Sequence, residues 1–412
     1  MKISLLMCAS VALLFWCTPS VAEPASCEIR SAQDILDCAL SRHPDVAISR
    51  AAWVRDLKLK DLARQRPNPE ITSKIVAGRE TGDAILDTET SLLHTWELGG
   101  KRRSRLRRAE AAGDVAAAGH QGTLEDVALT TVLTLRRLGQ IRTESAYLRE
   151  SASTFQSILQ QLKSRPVLAP EQSVSQTVFR MAKEEYRLKE RALLEEETAL
   201  QKSLELATGL PFAVMKFHLP ATKRVWPKIL ETTEAETNSA MRRASAEKKL
   251  AEAELKAAKS LSWPDLKIGP TVETSTVGPG RNTLFGGTIA LPLPLLNLNR
   301  GGRRFAAAEK ARADLNLRVT GEKVSLEREK QFVRYREAVK ALSMSPSYSG
   351  MAAGHREVDD LFERGMVSGA LVIESHRQMV EIQRGLHELE LAALDALWRL
   401  YILDGKVTEA RL

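Results

Sequence analysis

The segment Trp96-Glu97-Leu98-Gly99-Gly100-Lys101-Arg102 marks an abrupt change of pattern. Before it, Ser91 to Leu98 loosely alternates apolar with polar residues, the period of a β-strand. The glycine pair breaks that strand. After it no proline occurs until Pro166, and the composition turns to Ala, Leu, Glu, Lys and Arg. The pattern predicts one helix over about 100–163, which at about 1.5 Å per residue spans about 95 Å. That is about twice the full thickness of a bilayer. Leu124, Val127, Leu129, Val132, Leu135 and Leu138 recur along it at heptad-like intervals. Such spacing suits packing against neighbouring helices, with the charged faces left in water.

Upstream, a helix is expected over 31–66, opened by Ser31 and Asp34 and stopped by Pro67-Asn68-Pro69. A strand from Ile71 to Ala77, a turn from Gly78 to Asp87 and the strand ending at Leu98 form a hairpin over 69–98. Downstream, Arg165-Pro166-Val167-Leu168-Ala169-Pro170 makes a turn, and a helix runs from Glu171 to Thr208. A linker over 209–232 is rich in proline and aromatics. The pattern then restarts, with a helix over 233–261 and a hairpin over 264–294. That hairpin has strands Leu266 to Thr276 and Leu284 to Leu293, and Gly301-Gly302 ends the region. A long helix to Leu342, a break at Ser345 to Gly350 and a last helix from Arg356 to Leu403 complete the chain.

Three landmarks repeat in order at spacings of about 200 residues. Pro69-Glu70-Ile71 matches Pro264-Asp265-Leu266, and Gly99-Gly100-Lys101-Arg102 matches Gly301-Gly302-Arg303-Arg304. Leu162 and Arg165 match Leu361 and Arg364. A duplicated unit is expected, 23–208 and 233–412, joined by the linker.

Residues 1–22 read as a secretory signal peptide: Lys2, an apolar run from Ile3 to Trp16, and the small residues Ser20-Val21-Ala22. Cys17 raises a lipoprotein reading, against which stands the bulky Trp16 before it. Cys27 and Cys38 would remain after cleavage, either as a disulfide or as two unpaired small residues. No later segment holds the roughly 18 apolar residues of a membrane helix. The formal charge of +8 comes from 60 basic and 52 acidic residues, interleaved without a basic stripe carrying aromatics. Nucleic acid is therefore not the expected partner.

Two hairpins give four strands, each roughly 8 to 11 residues long, a length that crosses a bilayer when tilted. Four strands cannot close a barrel, and open edges do not survive in lipid. The hairpins must pair with other copies, three of which would supply twelve strands, or stay out of the membrane. The second case would make the protein a periplasmic coiled-coil scaffold.

The sequence resembles the TolC-like outer-membrane factors over essentially its whole mature length. Ala39-Leu40-Ser41-Arg42-His43-Pro44 is similar to the Ala-Leu-x-x-Asn-Pro signature of that family, with His43 in place of the asparagine. Leu361-Phe362-Glu363-Arg364-Gly365-Met366-Val367-Ser368 resembles its aromatic-x-x-Gly-x-x-Ser tip turn. Trp96 to Arg102, with Pro292-Leu293-Pro294-Leu295-Leu296-Asn297-Leu298-Asn299-Arg300-Gly301, resembles the branch serving heavy-metal pumps of the resistance-nodulation-division (RND) type. The resemblance implies a mainly α protein with membrane β structure: a homotrimer with a long α-helical barrel and a 12-stranded β-barrel in the outer membrane. It further implies a periplasmic adaptor and an inner-membrane RND pump as partners, and a passive exit duct for heavy-metal cations. Drug efflux or type I secretion are the alternatives within the same fold.

Adaptor contacts are expected at the two tip turns: Pro166, Val167 and Leu168 in one, Gly365, Val367 and Ser368 in the other. Family members narrow the tunnel with acidic rings beyond the last tip turn. The matching positions here are Leu371 and Glu374, of which only Glu374 is acidic. The basic run Lys101 to Arg108, with Arg300, Arg303 and Arg304, would sit where barrel meets tunnel. There it could meet anionic headgroups, line the tunnel or stay solvated. His43, His94, His120, His218, His355, His376 and His387 are dispersed and form no metal-ligand spacing. No catalytic motif, metal site or cofactor site is expected.

Overall fold

The computed structural model describes residues 27–80, 83–164, 167, 169–220, 225–230, 238–277, 280–345, 348–407 and 410–411. The segment read as a signal peptide, with Cys17, and Arg165, Pro166 and Leu168 lie outside them. The described elements run α1 (Ala32–Arg42), α2 (Pro44–Arg64), β1 (Glu70–Glu80), β2 (Asp83–Glu97), α3 (Lys101–Lys163), α4 (Pro170–Thr208) and α5 (Phe212–Met215). They continue α6 (Ser239–Ser260), β3 (Asp265–Val277), β4 (Gly280–Ala290), α7 (Arg300–Met344), α8 (Tyr348–Glu363) and α9 (Gly369–Leu403).

The helix expected over 31–66 is two helices. Pro44 pushes His43 out of the helical region, to φ −52° and ψ 133°. His43 then caps α2, its Nδ1 accepting from the Asp45 amide at 3.1 Å. The disulfide between Cys27 and Cys38, with Cα atoms 5.8 Å apart, ties the chain entering α1 to that helix. The last expected helix is also divided, into α8 and α9, because Gly365 takes φ +73° between them. Gly99 and Gly100 are left-handed too, as is Asn299 before α7. Gly301 and Gly302, expected to end the second hairpin region, instead form the first turn of α7. A Cβ at Gly302 would lie 2.4 Å from the Asn299 side chain, which would have to turn aside.

β1 to β4 form one antiparallel sheet in sequence order. The two hairpins join through β2 and β3, with Glu97 opposite Asp265 at one end and Ile85 opposite Val277 at the other. The strands of the first hairpin run past the expected turn at Gly78 to Asp87. A partner strand overrides turn propensity there: Gly78 pairs with Ile85, and Asp87 accepts from Ser275 Oγ on β3 at 2.6 Å. β4 stops before Leu291, since Pro292 and Pro294 have no N–H for a ladder.

α3 is a single helix of 63 residues. It packs on α2 and α6 nearer the sheet and on α4 and α9 farther away, while α7 packs on α6 and α9. Its heptad-like residues therefore feed several cores. Val127 joins Ala39 and Val46, Leu129 and Val132 join Trp398, and Leu135 and Leu138 join Ile35, Leu204 and Met215. The expectation of charged faces in water fails along this middle stretch, where Glu125, Arg136 and Glu144 are buried. Asp126, Thr130 and Arg142 keep a narrow exposed strip there, while helices packed on the other sides enclose Glu125, Arg136 and Glu144, whose charges find partners inside. Among the described residues no helix is long and apolar enough to cross a membrane.

Candidate functional site: a two-faced sheet and a helical tip

Strand pairing puts Ile71, Ile75, Leu86, Leu92, Trp96, Leu266, Ile268, Val272, Phe285 and Ile289 on one face of the sheet. Large side chains on this face are open: Phe285 is 83% exposed, and Ile71 and Ile289 are each 72% exposed. Threonines and a few small or polar side chains fill the gaps between them. The opposite face is mainly polar, with Lys74, Asp87, Glu89, Ser91, Glu97, Asp265, Lys267, Thr271, Glu273, Asn282 and Thr288, though Val76, Ile85, Leu93, Val277 and Leu284 also lie on it. Hydroxyls of Ser91, Thr271 and Thr288 bond to one another there, with Ser91 Oγ 2.7 Å from Thr271 Oγ1. Lys267 Nζ donates to Glu70 at 2.6 Å. Glu89 lies directly opposite Glu273 on β3 and, on its other side, opposite Lys74 on β1. An apolar outside and a polar inside are the pattern of a membrane barrel wall.

Gly269 fixes the centre of the seam between hairpins, because a Cβ there would fall 1.7 Å from the Leu92 carbonyl oxygen. The ladder between β2 and β3 is interrupted at Leu92 and Leu93, where Pro270 has no N–H to donate. At the base of the sheet, Lys101 donates to Asp265 at 2.7 Å and Arg105 pairs with Glu97. Both acids belong to the polar face, so the start of α3 turns this side toward it.

At the far end, Gly365 closes α8 in a Schellman arrangement. Its amide donates to the Phe362 carbonyl at 2.8 Å, and the Met366 amide to that of Leu361 at 2.9 Å. Met366, Ser368 and Val167 are exposed, while Val367 is half-buried. Gly369, absent from the expected site, is buried against α4: a Cβ would sit 2.7 Å from the Phe179 ring. Phe179 in turn meets Phe155 and Phe362, and Phe155 meets Tyr186 and His376. The smallness of Gly369 was visible in the sequence; the ring that requires it was not.

Leu371 and Glu374 follow on α9, Leu371 54% exposed. Arg377 donates to Glu374 from Nη2 at 2.7 Å and Nε at 2.9 Å. Those hydrogen bonds, then that from Gln378, hold the carboxyl below its usual value. Glu374 thus carries its own counter-charge one helical turn away.

Higher on the helices, a buried polar joint ties α3 to α4 and α9. Arg136 pairs with Glu390, both nearly inaccessible to solvent, and Gln140 Nε2 donates to Glu390 at 2.9 Å. Arg137 bridges Glu144 and Glu196, while His387 Nδ1 lies 2.5 Å from Glu144. Burial pushes the Glu144 carboxyl up, but hydrogen bonds from His387 and Arg137 outweigh it and hold the group below its usual value. His376 lies 2.8 Å from Ser151 Oγ and His120 the same distance from Ser49 Oγ. Among the described residues no three of His, Cys, Asp and Glu gather as metal ligands.

No family model matches the sequence, and no curated protein resembles it at a significant level. The fold does match solved structures. The Campylobacter jejuni CmeC outer membrane channel superposes with a TM-score of 0.70 over 91% of this chain and 85% of its own, at 12% identity. CusC, whose structures describe folding and transmembrane channel formation, gives 0.68 at 15% identity, covering 91% and 92%. The outer membrane protein VceC from Vibrio cholerae gives 0.66 at 12% identity, covering 91% and 96%. The chain therefore has the fold of these outer-membrane channel proteins.

Proposed function

We propose that three copies of this chain form an outer-membrane exit duct, the outermost part of a tripartite efflux system. The observation that carries this reading is the two-faced sheet with β1 and β4 at its edges. Its shortest strands have 11 residues. At about 3.4 Å per residue and a tilt of about 45° they rise about 26 Å, matching the apolar band of about 25 Å on membrane barrels. An apolar face of that height favours lipid, yet lipid tolerates no open edge. Pairing β4 of one copy with β1 of the next closes twelve strands around the polar face. The helices then continue the passage away from the membrane, for about 95 Å along α3. The two halves act as a duplicated unit, each giving one hairpin and one helical arm.

The tips around Val167 and Gly365 to Ser368 serve as contacts for a periplasmic adaptor, through which an inner-membrane pump supplies the energy. Heavy-metal cations are the cargo this reading favours, on the strength of the sequence motifs flanking the sheet and of the acidic pair Glu89 and Glu273 inside it. Leu371 forms the tighter restriction near the tip, with Glu374 tempered by Arg377. Reconstitution into planar bilayers tests the duct: stepwise conductance from a cross-linkable trimer is expected, and a non-conducting monomer refutes it. Loss of growth on metal salts after deletion supports the cargo. Loss confined to drugs or detergents reassigns the same duct to drug efflux.

A further inference from the structure

The sheet's apolar face does not end with its strands. At the base of β4 the chain continues as Leu291-Pro292-Leu293-Pro294-Leu295-Leu296, in which Leu293 is 70% exposed, Leu295 79% and Leu296 fully exposed. The end of the loop is anchored: Ser262 Oγ donates to the Leu298 carbonyl at 2.9 Å, and Asn299 Nδ2 to that of Ala258 at 2.8 Å. Trp96 and Trp263, each 60% exposed, stand at the same end of β2 and β3. Trp263 lies over Gly99, where a Cβ would come within 2.5 Å of the indole. Two indoles and a proline-stiffened leucine loop share one end of the sheet, where three copies closed into a barrel would make a ring like those at a membrane–water boundary.

Immediately beyond this ring the charge is one-sided. Lys101, Arg105 and Arg108 are neutralised by Asp265, Glu97 and Glu254. Arg103, Arg300 and Arg304 are exposed, and none has an ion pair among the described residues. Arg107 is exposed as well, and Glu110, on which its charge acts, is already engaged by Lys60. Arg105 marks the polar side of α3, because it binds Glu97. Two residues along a helix turn about 200°, so Arg103 and Arg107 point away from that side, toward the face that continues the apolar surface.

We infer that this collar binds anionic phospholipid in the leaflet facing the helices, the leucine loop and Trp96 and Trp263 entering the acyl region while Arg103, Arg107, Arg300 and Arg304 hold the phosphates. The charge complementarity and the unbroken run from the apolar sheet face favour lipid over a second copy of the chain. This rests on the duct reading, which places the sheet in a bilayer.

The test is spin-labelled lipid association with the full protein reconstituted in phosphatidylcholine bilayers. Phosphatidylglycerol should associate about five-fold more strongly than phosphatidylcholine per favourable arginine contact, falling toward parity in about 1 M salt, where screening reaches about 3 Å. A variant with Arg103→Gln, Arg107→Gln, Arg300→Gln and Arg304→Gln should lose the preference while still restricting phosphatidylcholine. Leu295→Ser with Leu296→Ser should lower the amount of restricted lipid of both kinds. Equal association of the two lipids with the native protein, or a preference surviving in the arginine variant, overturns the inference alone. Dissociation of the trimer by the leucine variant also overturns it, assigning the loop to a contact between copies. Absence of any motionally restricted lipid removes the duct reading along with it.

Discussion

Replacing Val272 by arginine separates a membrane wall from a wet sheet. Val272 sits near the middle of β3, on the apolar face, opposite Thr90 on one side and Phe285 on the other. At the midplane of a bilayer an arginine on the lipid face of a barrel costs about 2–4 kcal/mol. With tenfold per about 1.4 kcal/mol, that is roughly 30-fold to several hundred-fold in the folding equilibrium of each protomer. The neighbouring Glu273→Arg variant places the same side chain on the polar face, beside Glu89, where no such cost applies. Were the sheet merely bathed in water, both changes would stay within about 0.5 kcal/mol. Urea titration of protein folded into lipid vesicles, followed by the emission of Trp96 and Trp263, measures the difference. A large loss for Val272→Arg with a small effect of Glu273→Arg is expected. Equal effects, or a larger loss at Glu273, would falsify the assignment of faces.

In the proposed closed barrel Glu89 and Glu273 would face the passage, so Glu89→Gln with Glu273→Gln should lower the cation-over-anion permeability ratio, read as reversal potential across a salt gradient; an unchanged ratio would place them off the conducting path. Gly369→Leu should destabilise the helical tip by about 1–3 kcal/mol through collision with Phe179, visible as faster amide exchange in α8 and the start of α9, and protected tip amides would contradict it. Glu144 has a lowered carboxyl value in the fold, so its contribution is full above the ordinary value of 4.5 and is lost as pH falls below it. The melting temperature should therefore drop on acidification, and drop less in Glu144→Gln; identical pH profiles would rule out this joint as the acid-sensitive element.

Local chemistry made much of this architecture legible. A proline-free, alanine-rich run can only be a long helix, and α3 spans Lys101–Lys163, close to what the composition demands. The hairpins were readable because turn residues separate two runs with strand character. Their limits were not, since Gly78 and Asp87 behave as turn formers only until a partner strand competes for their backbone. That partner, β3, lies far along the chain, and nothing local announces it. The same reasoning explains Asn299. Two glycines beyond it seemed the natural break, but an asparagine also tolerates the left-handed conformation, and it was used.

The candidate site divides along the same line. Tip glycines and flanking motifs are local features, and Gly365 takes the backbone angle its residue type invites. The buried joint is different in kind. Arg136 and Glu390 each look like one more charge on an amphipathic helix, and their separation of 254 residues hides the match. Desolvating two charges costs several kcal/mol per ion unless each finds the other with good geometry, and removing one partner costs about 3–5 kcal/mol. Such a pair is therefore a poor source of net stability but a strict register mark: sliding α9 along α3 by one turn would strand both charges. In a helical arm about 95 Å long, made of interchangeable alanines and leucines, apolar contacts alone permit several registers. The polar joint between α3, α4 and α9 selects one, and with it the height at which Gly369 meets Phe179.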